Sequence, residues 1–353
     1  MRIVVAMSGG VDSSVAAALL AEAGHDVVGL SMQLYDQRES PDAFGSCCSL
    51  DDLHDARRVA AAVGFPHYLV NFEARFQQTV VDNFVAEYAA GRTPIPCVHC
   101  NADLKFATLA ERARGFDAAA VATGHYARVV FDEERRRVTL RRSVDAGKDQ
   151  TYFLFSLTQD QLAHALFPVG HLTKAEVRAH AGRLGLAVAG KPDSHEICFV
   201  PDGSAADFVE RHVGVAAGGD IVDSGGRTLG QHRGIHRFTV GQRKGLGVST
   251  GTPLYVLKLE PEHARVVVGP RDELGRSTLT ASCVNWIAGA APDGAIRVTA
   301  RIRHRHPDAA ATVAGDRSGR AEVVFDQPQL AVTPGQAVVF YDGDEVRGGG
   351  WID

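Results

Sequence analysis

The residues with the clearest chemical potential are the thiols of RTPIPCVHCNADLKF, the stretch that holds the sequence's only C-x-x-C pair, Cys97 and Cys100. Such a pair is compatible with half a zinc site, a redox dithiol, a corner of a metal cluster or a catalytic thiol with a neighbour. Zinc is disfavoured, because neither a second C-x-x-C nor a closely spaced histidine pair follows. A thioredoxin-like dithiol is also disfavoured, because two prolines precede the pair. A catalytic thiol and a corner of a metal cluster remain open.

Cys100 is predicted to lie at the start of a helix, and Cys198 at the end of a polar turn. The helix is indicated by NADLKFATLAERARG, with Asn101 as its N-cap and apolar residues at helical spacing. A thiol at a helix N-terminus is stabilised as the reactive thiolate. Cys198 stands in DSHEICFV, where a polar turn enters an apolar run. The remaining cysteines are expected to be buried structural residues: Cys47, Cys48 and Cys283.

A second chemical feature is the serine- and glycine-rich turn in VVAMSGGVDSSVAAALL, residues 8–14, between a predicted strand and a predicted helix. Its two glycines let backbone N–H groups approach an anion, and the helix adds the positive end of its dipole. The serine hydroxyls are hydrogen-bond donors, and Asp12 is suited to hold a metal ion or orient the loop. No G-K-[ST] follows, so the pattern differs from an ordinary P-loop NTPase. Met32 and Gly124, at the ends of later predicted strands, would lie at the same ligand-binding sheet edge.

The elements that must position these residues fall into two halves. Short apolar runs at 3–7, 27–32, 67–70 and 118–123 alternate with helical patterns, one of which has Ser49 and Asp52 at capping-box spacing. This alternation predicts an α/β doubly wound parallel sheet. After about residue 200, alternating strands and Gly, Asp and Pro turns predict a β-rich half. We expect an α/β catalytic domain at 1–205, a small β-rich central domain at 206–271 and a C-terminal β-barrel at 272–353.

Composition and charge narrow the class of protein. The chain has 353 residues, 45% of them hydrophobic, and a net charge of −5. No signal peptide, membrane span or disulfide scaffold is indicated, so we expect a cytoplasmic protein with reduced cysteines. The net charge excludes a bulk nucleic-acid coater but not a local basic face. The two candidates are RIRHRH, residues 301–306, whose arginines would share one face of a strand, and ERRRVTLRR, residues 134–142. A solvated edge strand is the alternative interpretation for both.

The phosphate-loop sequence S-G-G-x-D-S resembles the PP-loop of the ATP pyrophosphatase superfamily, whose members cleave ATP between its α and β phosphates. Further segments extend the likeness over nearly the whole chain: AGRTPIPCVHCNADLKF, ATGHYAR, GKDQTYFLFSL, FPVG, DSHEICFV, GQRKGLG and AVTPGQAVVFYDGD. In this order and spacing they resemble the tRNA-specific 2-thiouridylases. The resemblance implies an adenine nucleotide alpha hydrolase-like α/β fold, a small central domain and a C-terminal β-barrel.

The resemblance also implies an activity. It is ATP-dependent and Mg²⁺-dependent 2-thiolation of the wobble uridine, position 34, in the tRNAs for Lys, Glu and Gln. AMP would be placed on the uracil C2 oxygen, Cys198 would carry sulfur as a persulfide, and Cys100 would act as nucleophile. The sulfur would come from a relay protein or a cysteine desulfurase, and neither DNA nor a membrane is an expected partner. The implied ATP site comprises Ala6, Met7, Ser8, Gly9, Gly10, Val11, Asp12, Ser13, Met32 and Gly124.

The implied tRNA contacts lie in several segments, and a base in a single-stranded anticodon loop is reached by splaying it out. They are Ile95, Pro96, Cys97, His125, Lys148, Asp149, Gln150, Arg303, His304, Arg305 and Gln336. Cys97 departs from the best-known members of the family, which have an aspartate there. Three cysteines at 97, 100 and 198 would suit a [4Fe–4S] cluster with one open iron, as in related RNA thiolases. Persulfide transfer and cluster-bound sulfide therefore both remain open.

Two other functions compete with thiolation. A different PP-loop enzyme, amidating or tRNA-modifying, would need its own acceptor pocket and would leave the pair Cys100 and Cys198 without a role. A non-catalytic ATP-sensing module joined to an RNA-binding β-domain is the third hypothesis. Dependence of the reaction on the two thiols distinguishes these alternatives from a thiolase.

Overall fold

The first half of the chain forms a parallel five-stranded sheet. The computed structural model describes residues 1–35, 50–193, 197–200, 204–214 and 217–353, and the predictions for Cys47, Cys48 and Ser49 fall outside these ranges. The strands are β1 (Arg2–Ala6), β2 (Asp26–Gln33), β3 (His67–Asn71), β4 (Ala120–Ala122) and β7 (Ala165–Leu166). Their order is β3-β2-β1-β4-β7, and every pairing is parallel. The predicted strands and the doubly wound α/β class are confirmed.

Helices cover both faces of this sheet because successive residues of its strands direct apolar side chains to opposite faces. Ile3 and Val5 pack into one core with α1 (Val11–Glu22), α2 (Leu50–Val63) and α8 (Lys174–Arg183). Val4 and Ala6 face a second core on the other side. The helices that pack into this second core are α3 (Glu73–Phe76), α4 (Asp82–Ala89), α6 (Leu109–Arg114) and α9 (Ala205–Val213).

Two of the longer helical runs contain π-helical segments. Gln77–Val81 joins α3 to α4, and Cys100–Thr108 joins α5 (Pro96–His99) to α6. Such segments are rare and often occur at functional sites. The remaining α-helix is α7 (Gln159–Ala163), and short 3₁₀ turns lie at Thr151–Phe153, Pro168–His171, Ile235–Arg237, Pro261–His263 and Arg271–Leu274. Within the described ranges, no helix combines the length and apolarity needed to cross a bilayer.

The second half is built of strands, as the turn pattern predicted. β8 (Gly219–Asp223), β9 (Thr228–His232), β10 (Tyr255–Glu260) and β11 (Arg265–Gly269) form a small sheet in the order β10-β11-β8-β9. Six further strands form the C-terminal unit: β12 (Gly275–Trp286), β13 (Ile296–Arg301), β14 (Ala309–Gly315), β15 (Ala321–Leu330), β16 (Ala337–Asp342) and β17 (Glu345–Ile352). Their order β12-β15-β14-β13-β16-β17 closes on itself because β12 also pairs with β17. The predicted β-barrel is confirmed.

The barrel and the α/β domain share a core. The hairpin β5 (Ala127–Asp132) and β6 (Arg137–Arg142) leaves the α/β half and extends the barrel sheet through β17. Buried side chains of both halves meet in one cluster, which includes Ile95, Leu154 and Tyr341. The barrel therefore supports the segment around Cys97 directly.

Two surface predictions are corrected by this architecture. Only Arg301 of RIRHRH lies on a strand, because β13 ends there and residues 302–306 turn away from the sheet. Cys283, expected to be buried, is exposed. It lies where the pairing of β12 with β17 shifts register, and its φ of 49° directs the chain away from regular strand geometry.

Candidate active site

The phosphate loop connects β1 to α1 and is folded by its own serines. The Ser8 N–H donates to Ser13 Oγ at 3.2 Å, and the Ser14 hydroxyl donates to the Gly10 carbonyl at 2.8 Å. Gly10 is the N-cap of α1 and offers no side-chain cap to the first turn. The uncapped N–H groups and the positive end of the helix dipole are suited to an anion. This is the arrangement expected for a nucleotide phosphate site.

Two glycines allow neighbouring backbone to close around the loop. A Cβ on Gly9, whose φ is +73°, would lie 2.1 Å from the Asp52 carbonyl oxygen on α2. A Cβ on Gly124, just beyond β4, would lie 2.5 Å from the Ser13 nitrogen. Neither position has room for a side chain, so the end of β4 lies against the start of α1. Several predicted site residues around the loop are buried: Ala6, Met7, Val11 and Met32.

Two lysines outside the sequence motifs lie beside the phosphate loop. The Lys174 ammonium donates to Asp12 Oδ1 at 2.8 Å and Oδ2 at 2.9 Å, and it also pairs with Asp193 at 2.7 Å. Lys191 donates to the Gly9 carbonyl at 3.1 Å and to Asp55 at 2.6 Å. These ammonium groups supply the positive charge that a polyphosphate needs. The sequence signal was available at Lys174, because Thr173 and Glu176 form a capping box that places it first in α8.

Asp193, which pairs with two lysines of this network, is held ionised. Partial burial alone would raise the pKa of Asp193, but hydrogen bonds from Lys148 and Lys174 outweigh it and lower the pKa to about 2. The Tyr126 hydroxyl donates to Asp12 at 2.8 Å. Burial first, and then the Asp12 charge, raise the pKa of Tyr126 far above its ordinary value, so it stays a neutral donor. Asp12 thus receives hydrogen bonds from both a cation and a phenol.

The helix that carries Cys100 begins earlier than predicted. Ile95 is the N-cap and Pro96 the first helical residue, so the prediction of Asn101 as N-cap is wrong. Proline fixes φ at a helical value and needs no partner for its missing N–H at this position. Cys97 therefore lies in the first helical turn, and the helix-dipole argument applies to it more strongly than to Cys100. Asn101 is buried and donates to the Phe153 carbonyl at 3.1 Å.

The fold brings Cys100 and Cys198 to the same core. Both are half-buried and pack against the cluster that lies between the sheet and the helices α4, α6 and α9. Cys100 opens the π-helical segment, and Cys198 lies between residues 194–196 and 201–203, which fall outside the described ranges. Cys97 is exposed. Cys97 is thus more exposed than the other two thiols.

The three cysteines do not fit an iron–sulfur cluster in this structure. Among the described residues, which include all three thiols, no group of three or more His, Cys, Asp or Glu side chains is placed to hold a metal ion. A cluster of this type needs three thiolates converging on one centre. The predicted ligand set is therefore not assembled among the described residues.

The segment before Cys97 is held by all three parts of the chain. The Thr93 N–H donates to the Pro334 carbonyl at 2.9 Å, and Gln336 Nε2 donates to the Thr93 carbonyl at 2.9 Å. The Thr93 hydroxyl donates to the Thr239 hydroxyl in the central sheet unit at 3.3 Å. These bonds fix the approach of the chain to the first helical turn.

His99 fixes the helix itself. Its ring stacks on Trp351 of β17, with centroids 5.0 Å apart and planes 4° from parallel. Its Nδ1 lies 3.2 Å from a carboxylate oxygen of Asp103, one turn along the helix. His99 therefore joins the cysteine-bearing helix to the barrel, which is a structural role rather than metal ligation.

Comparison with known proteins gives matches along the whole chain. Three family models match in succession: the tRNA methyl transferase HUP domain over residues 1–202, the tRNA methyl transferase PRC-barrel domain over 206–270 and the aminomethyltransferase beta-barrel domain over 276–352. A protein of Solibacter usitatus named tRNA-specific 2-thiouridylase MnmA is 56% identical, with 99% of each chain covered. A protein of the same name from Geotalea uraniireducens is 54% identical, with 100% of this chain and 95% of the relative covered. The chain belongs to the tRNA-specific 2-thiouridylase family.

The tRNA contacts implied by membership of the tRNA-specific 2-thiouridylase family fall into exposed and buried groups. Arg303, His304 and Arg305 are exposed in the turn after β13, and the His304 ring lies 4.6 Å from Phe153. His125 is buried and its Nδ1 lies 2.7 Å from the Thr123 hydroxyl. Burial first, and the charge of a nearby lysine second, lower its pKa well below the ordinary value, so it is neutral. Ile95 and Pro96 are also buried.

The Lys148-Asp149-Gln150 motif supports the nucleotide side of the site. Lys148 pairs with Asp193 at 2.6 Å, and Gln150 Oε1 accepts from the Tyr126 N–H at 2.9 Å. Asp149 is buried and accepts a hydrogen bond from the Thr151 hydroxyl at 2.8 Å. All three side chains are engaged within the protein, so the motif connects the predicted RNA face to the phosphate loop.

The second basic stretch, residues 134–142, is largely neutralised by the barrel. Arg135 and Arg137 each pair with Glu345 at 3.2 Å, and Arg142 pairs with Asp308 at 2.6 Å. These pairs attach the β5–β6 hairpin to the barrel. This stretch is therefore better explained as a structural contact than as an RNA-binding face.

Proposed function

We propose that this chain catalyses ATP-dependent 2-thiolation of the wobble uridine, position 34, of the tRNAs for Lys, Glu and Gln. The observation that carries the proposal is the pairing of two features in one α/β domain. A phosphate loop without a Walker lysine lies at the carboxyl edge of the sheet, and Cys100 and Cys198 border one core of that sheet. Relatives over the full length that are named 2-thiouridylases support the same reaction.

The first step activates the uracil. The uracil C2 oxygen attacks the α-phosphorus of ATP, the bond to the β-phosphate oxygen breaks, and pyrophosphate leaves. The N–H groups at the start of α1 and the ammonium of Lys174 would neutralise the phosphates. Mg²⁺ suits this loop because Asp12 offers carboxylate oxygens beside the phosphate position, and the ion would supply further charge neutralisation. The AMP ester turns the C2 oxygen into a good leaving group.

The second step transfers sulfur. The terminal sulfur of a Cys198 persulfide attacks C2 and AMP leaves. The Cys100 thiolate then attacks the Cys198 sulfur, which breaks the S–S bond, leaves the C2 thione and forms a Cys100–Cys198 disulfide. In the other order, Cys100 attacks the persulfide first and releases hydrogen sulfide, which attacks C2. Either route needs a later thiol reductant and a new persulfide from a relay protein or a cysteine desulfurase.

We expect the reaction to take place in the cytoplasm. The RNA would approach across the start of α5, which carries Cys97, and the turn that follows β13. Cys97 is exposed there, and the arginines at 303 and 305 are suited to phosphate contacts that position the tRNA without reading its sequence. The full set of implied tRNA contacts remains part of the proposal, with the buried and internally bonded members supporting this region from within the protein: Ile95, Pro96, Cys97, His125, Lys148, Asp149, Gln150, Arg303, His304, Arg305 and Gln336.

Mass spectrometry of tRNA nucleosides tests the proposal. Wild-type protein incubated with tRNA, ATP, Mg²⁺ and a sulfide source is expected to form 2-thiouridine at position 34. Cys100→Ser and Cys198→Ser should abolish the product while ATP binding stays intact. Cys283→Ser, at an exposed thiol on the barrel, is the matched control and should behave as wild type. Thiolation that survives both active-site substitutions would overturn the proposal.

A further inference from the structure

The GQRKGLG segment, residues 241–247 of the central sheet unit, forms a closely fixed loop. Its three glycines all have positive φ, at +88°, +75° and +72°. Leu246 is buried in the core of the unit, which anchors the loop from below. The Gln242 side chain closes it, because Oε1 accepts from the Thr239 N–H at 3.0 Å and Nε2 donates to the Lys244 carbonyl at 3.0 Å. The loop therefore presents its two charged side chains from a rigid backbone.

Those two side chains, Arg243 and Lys244, are exposed and form no ion pair within the described part of the chain. Other basic residues of the same unit are paired: Arg227 with Asp223 at 3.1 Å, and Lys258 with Glu260 at 2.9 Å. Arg237 and Arg265 are paired as well, with Glu210 at 2.7 Å and Glu260 at 3.6 Å. The loop stands out as a site where two adjacent positive charges are left for a partner.

The loop lies next to the segment that leads to Cys97. Thr239, two residues before the loop, accepts a hydrogen bond from the Thr93 hydroxyl at 3.3 Å. A Cβ on Gly241 would lie 2.6 Å from the Ala331 side chain of the barrel. The loop is therefore wedged between the barrel and the chain that enters the cysteine-bearing helix.

The exposed turn with Arg303 and Arg305 lies near Asn101, on the far side of the two cysteines from Thr93. The ring centroids of His304 and Phe153 lie 4.6 Å apart. The Phe153 carbonyl accepts a hydrogen bond from the side-chain amide of Asn101 at 3.1 Å. The loop 241–247 therefore lies near Thr93, and the turn 303–305 lies near Asn101. Cys97 and Cys100 lie between these two points along the chain. An RNA strand that presents a base to these thiols carries a phosphate on each side of that base.

We propose that Arg243 and Lys244 bind backbone phosphates of the tRNA strand whose uridine enters the site. This inference rests on the proposed thiolation of tRNA and adds a second phosphate-binding element to it. The ligand chemistry is an RNA phosphodiester, which a guanidinium and an ammonium recognise without base specificity. The loop would fix the register of the strand while the turn at 303–305 holds its other side.

Binding of an anticodon stem-loop RNA to the full-length protein, measured by fluorescence anisotropy over a series of KCl concentrations, tests the loop. The double variant R243A/K244A should bind the RNA about tenfold more weakly at moderate salt. The plot of the logarithm of the association constant against the logarithm of the salt concentration should become less steep by about 1.5. ATP binding and thermal stability should match wild type. The variant R243K/K244R, which keeps both positive charges, should retain most of the wild-type salt dependence.

The matched control is R227A/K258A, which removes two exposed positive charges from the same unit, both ion-paired. It should leave affinity and slope unchanged, and an equal loss there would overturn the proposal as a general charge effect. Unchanged RNA binding by R243A/K244A would also overturn it. If that result came with slower thiolation from a protein sulfur donor, the loop would belong to a protein partner. Wild-type protein that binds no stem-loop RNA would instead contradict the proposed function itself.

Discussion

The ammonium of Lys174 lies within hydrogen-bond distance of both carboxylate oxygens of Asp12, at 2.8 and 2.9 Å. This contact joins the first residue of α8 to the loop that would hold ATP, across 162 residues of sequence. A second contact, to Asp193 at 2.7 Å, keeps the ammonium at the same place. Lys174 is therefore positioned to meet the charge of a bound triphosphate.

Lys174→Met should slow pyrophosphate release from ATP in the presence of tRNA by about 100-fold, because an oriented cation at the developing charge is lost. The measurement is pyrophosphate formation in a single turnover. Arg183→Met, at the far end of α8 and paired with Glu22, is the control and should keep the wild-type rate. A wild-type rate for Lys174→Met would contradict a phosphate role for Lys174.

Gly124→Ala should disable nucleotide binding, because the new methyl group would lie 2.5 Å from the Ser13 nitrogen and backbone must move. Overpacking of this kind typically costs about 1–3 kcal/mol. Gly182→Ala, inside α8 with nothing within 4 Å of the new Cβ, should instead stabilise the protein by about 0.5–1 kcal/mol. ATP titration calorimetry and thermal unfolding check both. Unimpaired ATP binding in Gly124→Ala would show that the loop has more freedom than its contacts indicate.

Cys97→Ser should retain most of the thiolation activity, because Cys97 is exposed and lies apart from the core that Cys100 and Cys198 share. Anaerobically purified protein should contain no stoichiometric iron and show no visible charge-transfer absorption. The rate of 2-thiouridine formation and the iron content are the measurements. Stoichiometric iron that is lost in Cys97→Ser would show that the three thiols converge in solution.

Asp193 should make the protein sensitive to acid in a defined range. Its pKa is lowered to about 2, against about 3.9 for an ordinary aspartate, so its ionised form stabilises the fold at neutral pH. This contribution is present above pH ~4 and is lost as the pH falls towards 2. Asp193→Asn should lower the melting temperature at pH 7 and flatten its decline over that range. Glu322→Gln, at an exposed barrel position, should leave the profile unchanged. An unaltered acid profile in Asp193→Asn would contradict the assignment.

The sequence by itself determined the local elements and the type of chemistry. Strands β1 to β4 follow from short apolar runs, and α1 ends at Glu22, two residues before Gly24, whose φ of +80° suits glycine. The turn from Ser8 to Ser14 was recognisable because its function depends on neighbouring residues along the chain. The resemblance across many short segments also indicated the family, which the comparisons confirmed.

Only the tertiary structure decided which charges meet. Lys174 and Lys191 reach the phosphate loop from elements more than 160 residues away, and no local periodicity encodes such a distance. The helix start at Pro96 was also decided by context. Thr93, which precedes the helix, is fixed by hydrogen bonds that it donates to Thr239 and Pro334 and by one that it accepts from Gln336. The chain therefore turns into the helix before the local capping signal at Asn101.

The contrast between Cys97 and Cys100 shows the same division. Their spacing in CVHC identified a reactive pair, because thiol chemistry depends on residue type. Their separate environments depend on what packs around the helix: the core behind Cys100 includes Phe199 and Phe208, which are distant in sequence. Side-chain chemistry is a property of the residue, whereas burial and charge pairing are properties of the fold that brings distant residues together.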